Sequence, residues 1–241
     1  MNRLVRAELI KARASRATIA LGAVAPVFCA SWVVLQVIVP AASDADRVAN
    51  VYNMAQQAYV FTMILGILGM AGEFRHRTIT WSFLVTPRRG PVLAAKLIAY
   101  GLAGLVIAVL SAAATLVAGL VLLPANGHPA LTSGVPAVLA GAVLSTTLYA
   151  PLGVALAVLV GSRVVAVVLA ALLFMYGDGL LAWLAPEVFR WLPTGAARAL
   201  GGMRAEGGAL LPAWGGGLLF AGYVAVTALA ARLLTLRRDV T

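Results

Sequence analysis

Side chains able to do chemistry are scarce in this sequence, and most of them fall in one connected stretch. Within residues 73–96 stand Glu73, Arg75, His76, Arg77, Thr78, Trp81, Phe83, Thr86, Pro87, Arg88, Arg89 and Lys96. The stretch is too polar to cross a membrane and too apolar to be a free loop. Trp81, Phe83, Leu84 and Val85 need a surface to bury against, and Pro87 excludes the preceding residue from helical angles. A short helix stopped before a basic turn would present an aromatic face to lipid or to another protein. A solvated basic loop would account for the arginines but not for Trp81 and Phe83.

Elsewhere the residues for catalysis do not assemble. No G-x-x-x-x-G-K-[ST] run occurs, so the chain does not bind ATP in the P-loop mode. The serines in the apolar runs have no histidine near them in sequence, and the chain is not expected to be catalytic by itself. Cys29 is the only cysteine and lies in an apolar run, which excludes an internal disulfide and suits a small buried residue. The one acid inside an apolar run is Asp178, in Met175-Tyr176-Gly177-Asp178-Gly179-Leu180. A carboxylate at mid-helix costs about 2.5–3.5 kcal/mol on insertion scales and often marks function. Asp178 sits toward one end of its run beside glycines, so structural or interfacial placement is the plainer reading and an intramembrane polar site the alternative.

The elements that position these residues follow from composition. Hydrophobic residues make up 62% of the 241 and charged residues 11%, against roughly 25% charged in a soluble domain. Such a chain cannot cover a water-facing surface and needs lipid as its solvent. A helix needs roughly 20 apolar residues to cross the hydrocarbon core, and the runs lack the alternation of a β-barrel. Six spans are expected, at 17–39, 53–72, 97–123, 135–160, 164–184 and 213–234, with the second weakened by Gln56 and Gln57. The first is read as retained, because its apolar run exceeds the core of about 7–15 residues in a cleaved signal peptide.

Net charge is +10. The bases cluster between apolar runs, a pattern of orientation signals rather than of nucleic-acid binding. Fourteen flank one set of span ends: Arg3, Arg6, Lys11, Arg13, Arg16, Arg75, Arg77, Arg88, Arg89, Lys96, Arg163, Arg232, Arg237 and Arg238. Only Arg47, Arg190, Arg198 and Arg204 flank the other. The positive-inside rule puts the first set, and with it both termini, in the cytoplasm. His76 and His128 then lie on opposite sides and cannot share a metal ion. Residues 1–16 alternate Leu4, Val5, Leu9 and Ile10 with basic positions, as in an amphipathic helix lying on the inner leaflet. Residues 184–211 are amphiphilic, interrupted by Pro186, Pro193 and Pro212, with Trp183 and Trp191 suited to the interface, a pattern that suits short helices dipping into the outer leaflet. Gly215–Gly217 is a small-residue packing surface.

The 73–96 stretch resembles the cytoplasmic loop of type-2 ABC transporter permeases, written E-x-x-x-G-T, then an apolar run, then T-P, one or two arginines, and lysine. Glu73, Thr78, Thr86, Pro87, Arg88, Arg89 and Lys96 match; Arg77 stands in place of the glycine. The basic amphipathic start, the six-span layout and the broken segment before the last span extend the resemblance over the whole chain. It implies an all-α membrane protein of one permease domain in a bacterial plasma membrane. It implies pairing with a second permease, identical or related, each docked on a separate ABC ATPase subunit that binds ATP and Mg. Residues 73–89 would be the coupling helix, with Glu73, Arg75, Thr78, Trp81, Phe83, Thr86, Pro87, Arg88 and Arg89 in contact with that ATPase. Residues 184–211 would be re-entrant helices, and the first and fifth spans, through Gly22, Ala23, Ala166 and Ala170, would join the two permeases. Members of the family export lipophilic drugs, antibiotics, peptides, lipids or polysaccharides. The rival reading is a secondary transporter driven by an ion gradient, which needs membrane acids or helices broken at mid-depth; only Asp178 points that way. An intramembrane enzyme would need clustered His, Glu or Asp within the spans.

Overall fold

The computed structural model describes residues 2–39, 47–75, 89–202 and 210–237, and all regular structure among them is helical. Helix α1 (Asn2–Ala14) turns Leu4, Val5, Glu8, Leu9 and Ala12 inward and leaves Arg3, Arg6, Ile10 and Arg13 exposed. The inward set recurs at helical spacing, but it includes an acid and omits Ile10, unlike the purely apolar face expected from sequence. One extended residue, Ser15, separates α1 from α2 (Arg16–Ile38). Helix α2 buries Ala25, Cys29, Val33 and Val37 at four-residue intervals and exposes Ile19, Val24, Val27 and Ile38. A helix apolar on its outer face as well as its inner one fits a lipid surround.

Next come α3 (Arg47–Asn53), a 3₁₀ segment (Met54–Ala58) and α4 (Tyr59–Arg75), then α5 (Arg89–Ala125) and α6 (Val135–Val160). Gly161, at φ 71°, ends α6 in the left-handed conformation that suits a residue lacking Cβ. Helix α7 (Arg163–Ala171) passes through a π segment (Leu172–Gly177) into α8 (Asp178–Leu184). Two short helices follow, α9 (Pro186–Phe189) and α10 (Pro193–Leu200), each with proline in its first turn, and α11 (Ala213–Arg237) ends the described chain.

Among the described residues, five helical stretches are long and apolar enough to cross a membrane: Arg16–Ile38, Gly90–Ala125, Val135–Val160, Arg163–Leu184 and Ala213–Leu234. The protein is therefore a multi-pass, all-helical membrane protein. The span expected at 53–72 differs from its reading as one continuous α-helix. Its first residues belong to α3 and the 3₁₀ segment, and α4 alone has 17 residues, about 26 Å of rise against a core of about 30 Å. The cause lies in the polar residues Asn53 and Gln56, whose side chains bond to other elements as described below. The third span is longer than its apolar run: α5 begins at Arg89 and carries Lys96 in a buried ion pair with Glu8.

Helix α6 is the centre of the bundle: 56% of its apolar window is buried within the chain, against 13–33% for the other four. It packs on α4, α5 and α11. Between α4 and α6 the backbones meet through reciprocal glycines. A Cβ on Gly66 would strike the Ala150 carbonyl, and one on Gly153 the Met63 carbonyl. Close backbone approach matters in lipid, where helices are held by packing rather than by exclusion from water. Ala166 and Ala170, expected at a contact between two permeases, instead face inward at 2% exposure each. Gly22 packs toward Ile107, and of the four only Ala23 is exposed. The outward face of α7 is Val164, Val165, Val168 and Leu169.

The helix ends sort into two groups. At one end Lys96 meets Glu8, and Gly90 lies beside the Arg232 side chain. At the other, Tyr52 donates to the Ala130 carbonyl, Asn53 to that of Gly201, Arg47 to that of Val37 and Tyr223 to that of Trp191. Lys96 and Arg232 thus lie in contacts of the first group, and Arg47 in one of the second.

Candidate functional site

Among the described residues, a polar cluster interrupts the apolar bundle at each end. At the α10 end, the 3₁₀ segment places Gln56 against α6 and α10. Its amide nitrogen donates to Ser145 Oγ at 2.8 Å and to the Ala197 carbonyl at 2.6 Å, while Asn53 Nδ2 donates to the Gly201 carbonyl at 2.7 Å. Both amides are buried, so their donors need partners within the protein. Asn53 and Gln56, the second of which is one of the two glutamines that weaken the second apolar run, therefore clamp α10. Glycines complete the fit: Gly141 of α6 lies against the Leu200 carbonyl, and Gly216 of α11 against the Ala196 carbonyl. Within the described part of the segment expected at 184–211, short helices form, with Gly195, Ala196, Ala197 and Ala199 buried. Of the Gly215–Gly217 packing surface, Gly216 and Gly217 receive α10.

Between these elements is a cavity of about 50 Å³, lined by Asn53, Gln56, Gln57, Tyr59, Tyr149, Thr194 and Arg198. The guanidinium carbon of Arg198 lies 5.4 Å from the centroid of the Phe189 ring, within cation–π range. Tyr59 and Tyr149 line the cavity and join an aromatic cluster, with Tyr149 4.9 Å from Tyr59, 6.0 Å from Phe174 and 4.8 Å from Phe220 between centroids. The Tyr59 hydroxyl also donates to the Phe174 carbonyl at 2.7 Å. That carbonyl belongs to the π segment, where the regular i to i−4 bonding is interrupted; such segments are frequent at functional positions. Around this end Trp183, Trp191 and Trp214 are exposed, as in an aromatic belt at a membrane interface.

At the α1 end, Lys96 of α5 is 1% exposed and donates to Glu8 Oε2 at 2.7 Å, while Lys11 donates to Glu8 Oε1 at 2.7 Å. Burial by itself would raise the Glu8 carboxyl. The charge of Lys96 and hydrogen bonds from Lys11 and Lys96 outweigh it, so the group sits below the ordinary glutamate value. A second cavity, of about 160 Å³, lies beside this pair between α1, the start of α2, α4 and α5. The amphipathic first helix is therefore pinned to the helix that follows residues 76–88.

Of the residues expected to contact an ATPase, Glu73 and Arg75 occupy the last turn of α4, and Arg89 opens α5. Thr78, Trp81, Phe83, Thr86, Pro87 and Arg88 lie outside the described residues. Asp178 opens α8 directly after the π segment. Sequence reasoning missed Glu8, the single acid on a basic helix. It also gave Thr194 no role and read Arg198 only as a flanking charge. No protein-family model matches the chain, and no curated protein matches it.

Proposed function

We propose that this chain is the membrane-spanning permease subunit of an ATP-driven exporter of the ABC type. It would move a lipophilic or amphipathic substrate outward, with hydrolysis supplied by a separate nucleotide-binding subunit that holds ATP and Mg. The observation that carries the reading is the buried Glu8–Lys96 pair. It fixes an amphipathic terminal helix to the base of α5, the helix that emerges from the motif-bearing connection 73–89. A force applied by an ATPase to that connection would reach α5 and α1 together.

Three further features support it. The run of α3, 3₁₀ segment and α4 is unbroken from residue 47 to 75. The 3₁₀ turn adds about 10 Å to the rise of α4, enough for a sixth crossing. Six crossings leave both termini on one side, and the basic flanks put that side in the cytoplasm. The α9–α10 pair, packed into the opposite end, suits a closure on the outer side. A pathway between two such chains would be lined mostly by apolar and small groups, which select for lipophilicity.

The test is association and coupling. Trp81→Ala, Phe83→Ala and Glu73→Lys should insert and fold but lose ATPase association, or keep basal hydrolysis while losing substrate stimulation and export. Truncating an aromatic hot spot costs about 2–4 kcal/mol, a weakening of tens to hundreds of fold. An ion-gradient transporter would continue to transport after the ATPase subunit is deleted, and that result would replace this reading.

A further inference from the structure

We infer that the outward face of α1 is a docking surface for anionic phospholipid headgroups, and that it holds them by charge rather than by an inserted apolar face. This goes beyond the exporter reading and does not depend on it. On α1, Arg3, Arg6, Ile10 and Arg13 follow one another at intervals of three, four and three residues, which puts them on one side of a helix. All four are exposed, and so is Arg16, which opens α2. Among the described residues, no ion pair or hydrogen bond engages the side chains of Arg3, Arg6, Arg13 or Arg16. Glu8, the single acid of α1, is turned the other way and is held by Lys96 and Lys11, so it does not neutralise this face. Clusters of about four to eight basic residues beside a membrane span recognise anionic lipid. The guanidinium fork fits phosphate oxygens in bidentate fashion.

Two contacts hold α1 at the level of the headgroups. Lys96 is the last charged residue before the apolar run 97–123 of α5, so the Glu8–Lys96 pair pins the middle of α1 to the edge of the hydrocarbon. Ser15 alone separates α1 from the span α2, so the end of α1 is at that edge too. An ordinary interfacial helix sinks its apolar side into the boundary between headgroups and chains. Here that side is taken up by the bundle: Ala12 is 1% exposed, and Leu4, Val5 and Leu9 are half-buried. What remains for the lipid is a cationic stripe with Ile10, 59% exposed, in its middle. An isoleucine so placed suits the edge of the hydrocarbon, whereas an acidic protein surface matched to the arginines would set it against charge. Position and composition together favour lipid over an ATPase as the occupant.

The test uses the full chain in nanodiscs, with Cys29→Ala and a fluorophore on a cysteine placed at Ala14, which is exposed beside the stripe. Phosphatidylglycerol and phosphatidylcholine, each carrying a nitroxide at the same acyl position, are added in turn as quenchers. Their relative quenching reads how far each lipid is enriched at α1. Phosphatidylglycerol should be favoured by about five-fold or more, the worth of one basic residue at an anionic surface. The preference should collapse between about 0.1 M and about 1 M salt, as the screening length falls from about 10 Å to about 3 Å. Arg3→Gln, Arg6→Gln and Arg13→Gln together should abolish it, whereas Ile10→Gln, which keeps the charge, should leave it. If the triple variant does not fold, the salt dependence of the native chain decides. Equal quenching by the two lipids, a preference that survives high salt, or one that persists in the folded triple variant overturns the inference. Absence of a lipid preference in the native chain, with loss of an ATPase from the triple variant purified from its own membranes, would assign the face to a protein instead. The nanodiscs hold no ATPase, so failure here leaves the exporter reading standing on its own test at residues 73–89.

Discussion

Glu8 and Lys96 are 88 positions apart in sequence, yet their pairing sets the chemistry of the α1 end. Breaking a buried ion pair by removing one partner costs about 3–5 kcal/mol, whereas replacing both by apolar residues of similar size is often close to neutral. Glu8→Gln should therefore lower the thermal midpoint clearly, and Glu8→Leu with Lys96→Met should restore much of it. The Lys11 contact should matter little, because Lys11 is 54% exposed and exposed pairs contribute about 0–1 kcal/mol. Because the folded-state pKa of Glu8 is lowered, the stabilisation is present above the ordinary glutamate value and is lost as the pH falls through the folded one. A fluorophore on α1 should report its release in acid, and the double apolar variant should abolish that response. The pair was not legible in sequence: Lys96 read as the last basic residue of a loop motif, and Glu8 as one acid on a basic helix. The available signal was that this acid falls on the same helical face as Leu4, Val5 and Ala12.

Among the elements, the long apolar runs were plain in the sequence because lipid imposes one dominant requirement, a continuous stretch of apolar helix. Breaks within the runs were harder to foresee. Gln56 looked like a defect in a span and is instead the contact that holds α10, something only a partner 141 residues away reveals. The π segment at Leu172–Gly177 left no compositional mark; its carbonyl is taken by Tyr59 from another helix. Two substitutions test the clamp. Gln56→Leu leaves the Ala197 carbonyl without that amide, a loss of about 1–3 kcal/mol for a buried group. Gly141→Val forces a side chain against the Leu200 carbonyl. Both should make a cysteine at Ala197, buried in the native chain, reactive toward a small thiol reagent while the bundle stays inserted. Unchanged protection in both would show that α10 is held by other contacts.

At the scale of the whole molecule, the proposal joins an arrangement with two distinct ends to an orientation in the membrane. Single cysteines at Asp44, His128 and Arg198 should react with an impermeant thiol reagent from outside the cell, and one at Arg88 should not. Outside labelling at Arg88 would reverse the orientation, and with it the assignment of residues 73–89 to an ATPase. The most direct measurement is purification of the chain from its own membranes without crosslinker, followed by ATP hydrolysis assays on what accompanies it, for the native protein and for Trp81→Ala. The account predicts that a nucleotide-binding subunit copurifies with the native chain, and that hydrolysis is stimulated by lipophilic or amphipathic compounds. It predicts that Trp81→Ala loses the subunit or the stimulation. A native chain that transports with no ATPase bound, or a Trp81→Ala chain with full association, stimulation and export, would contradict it.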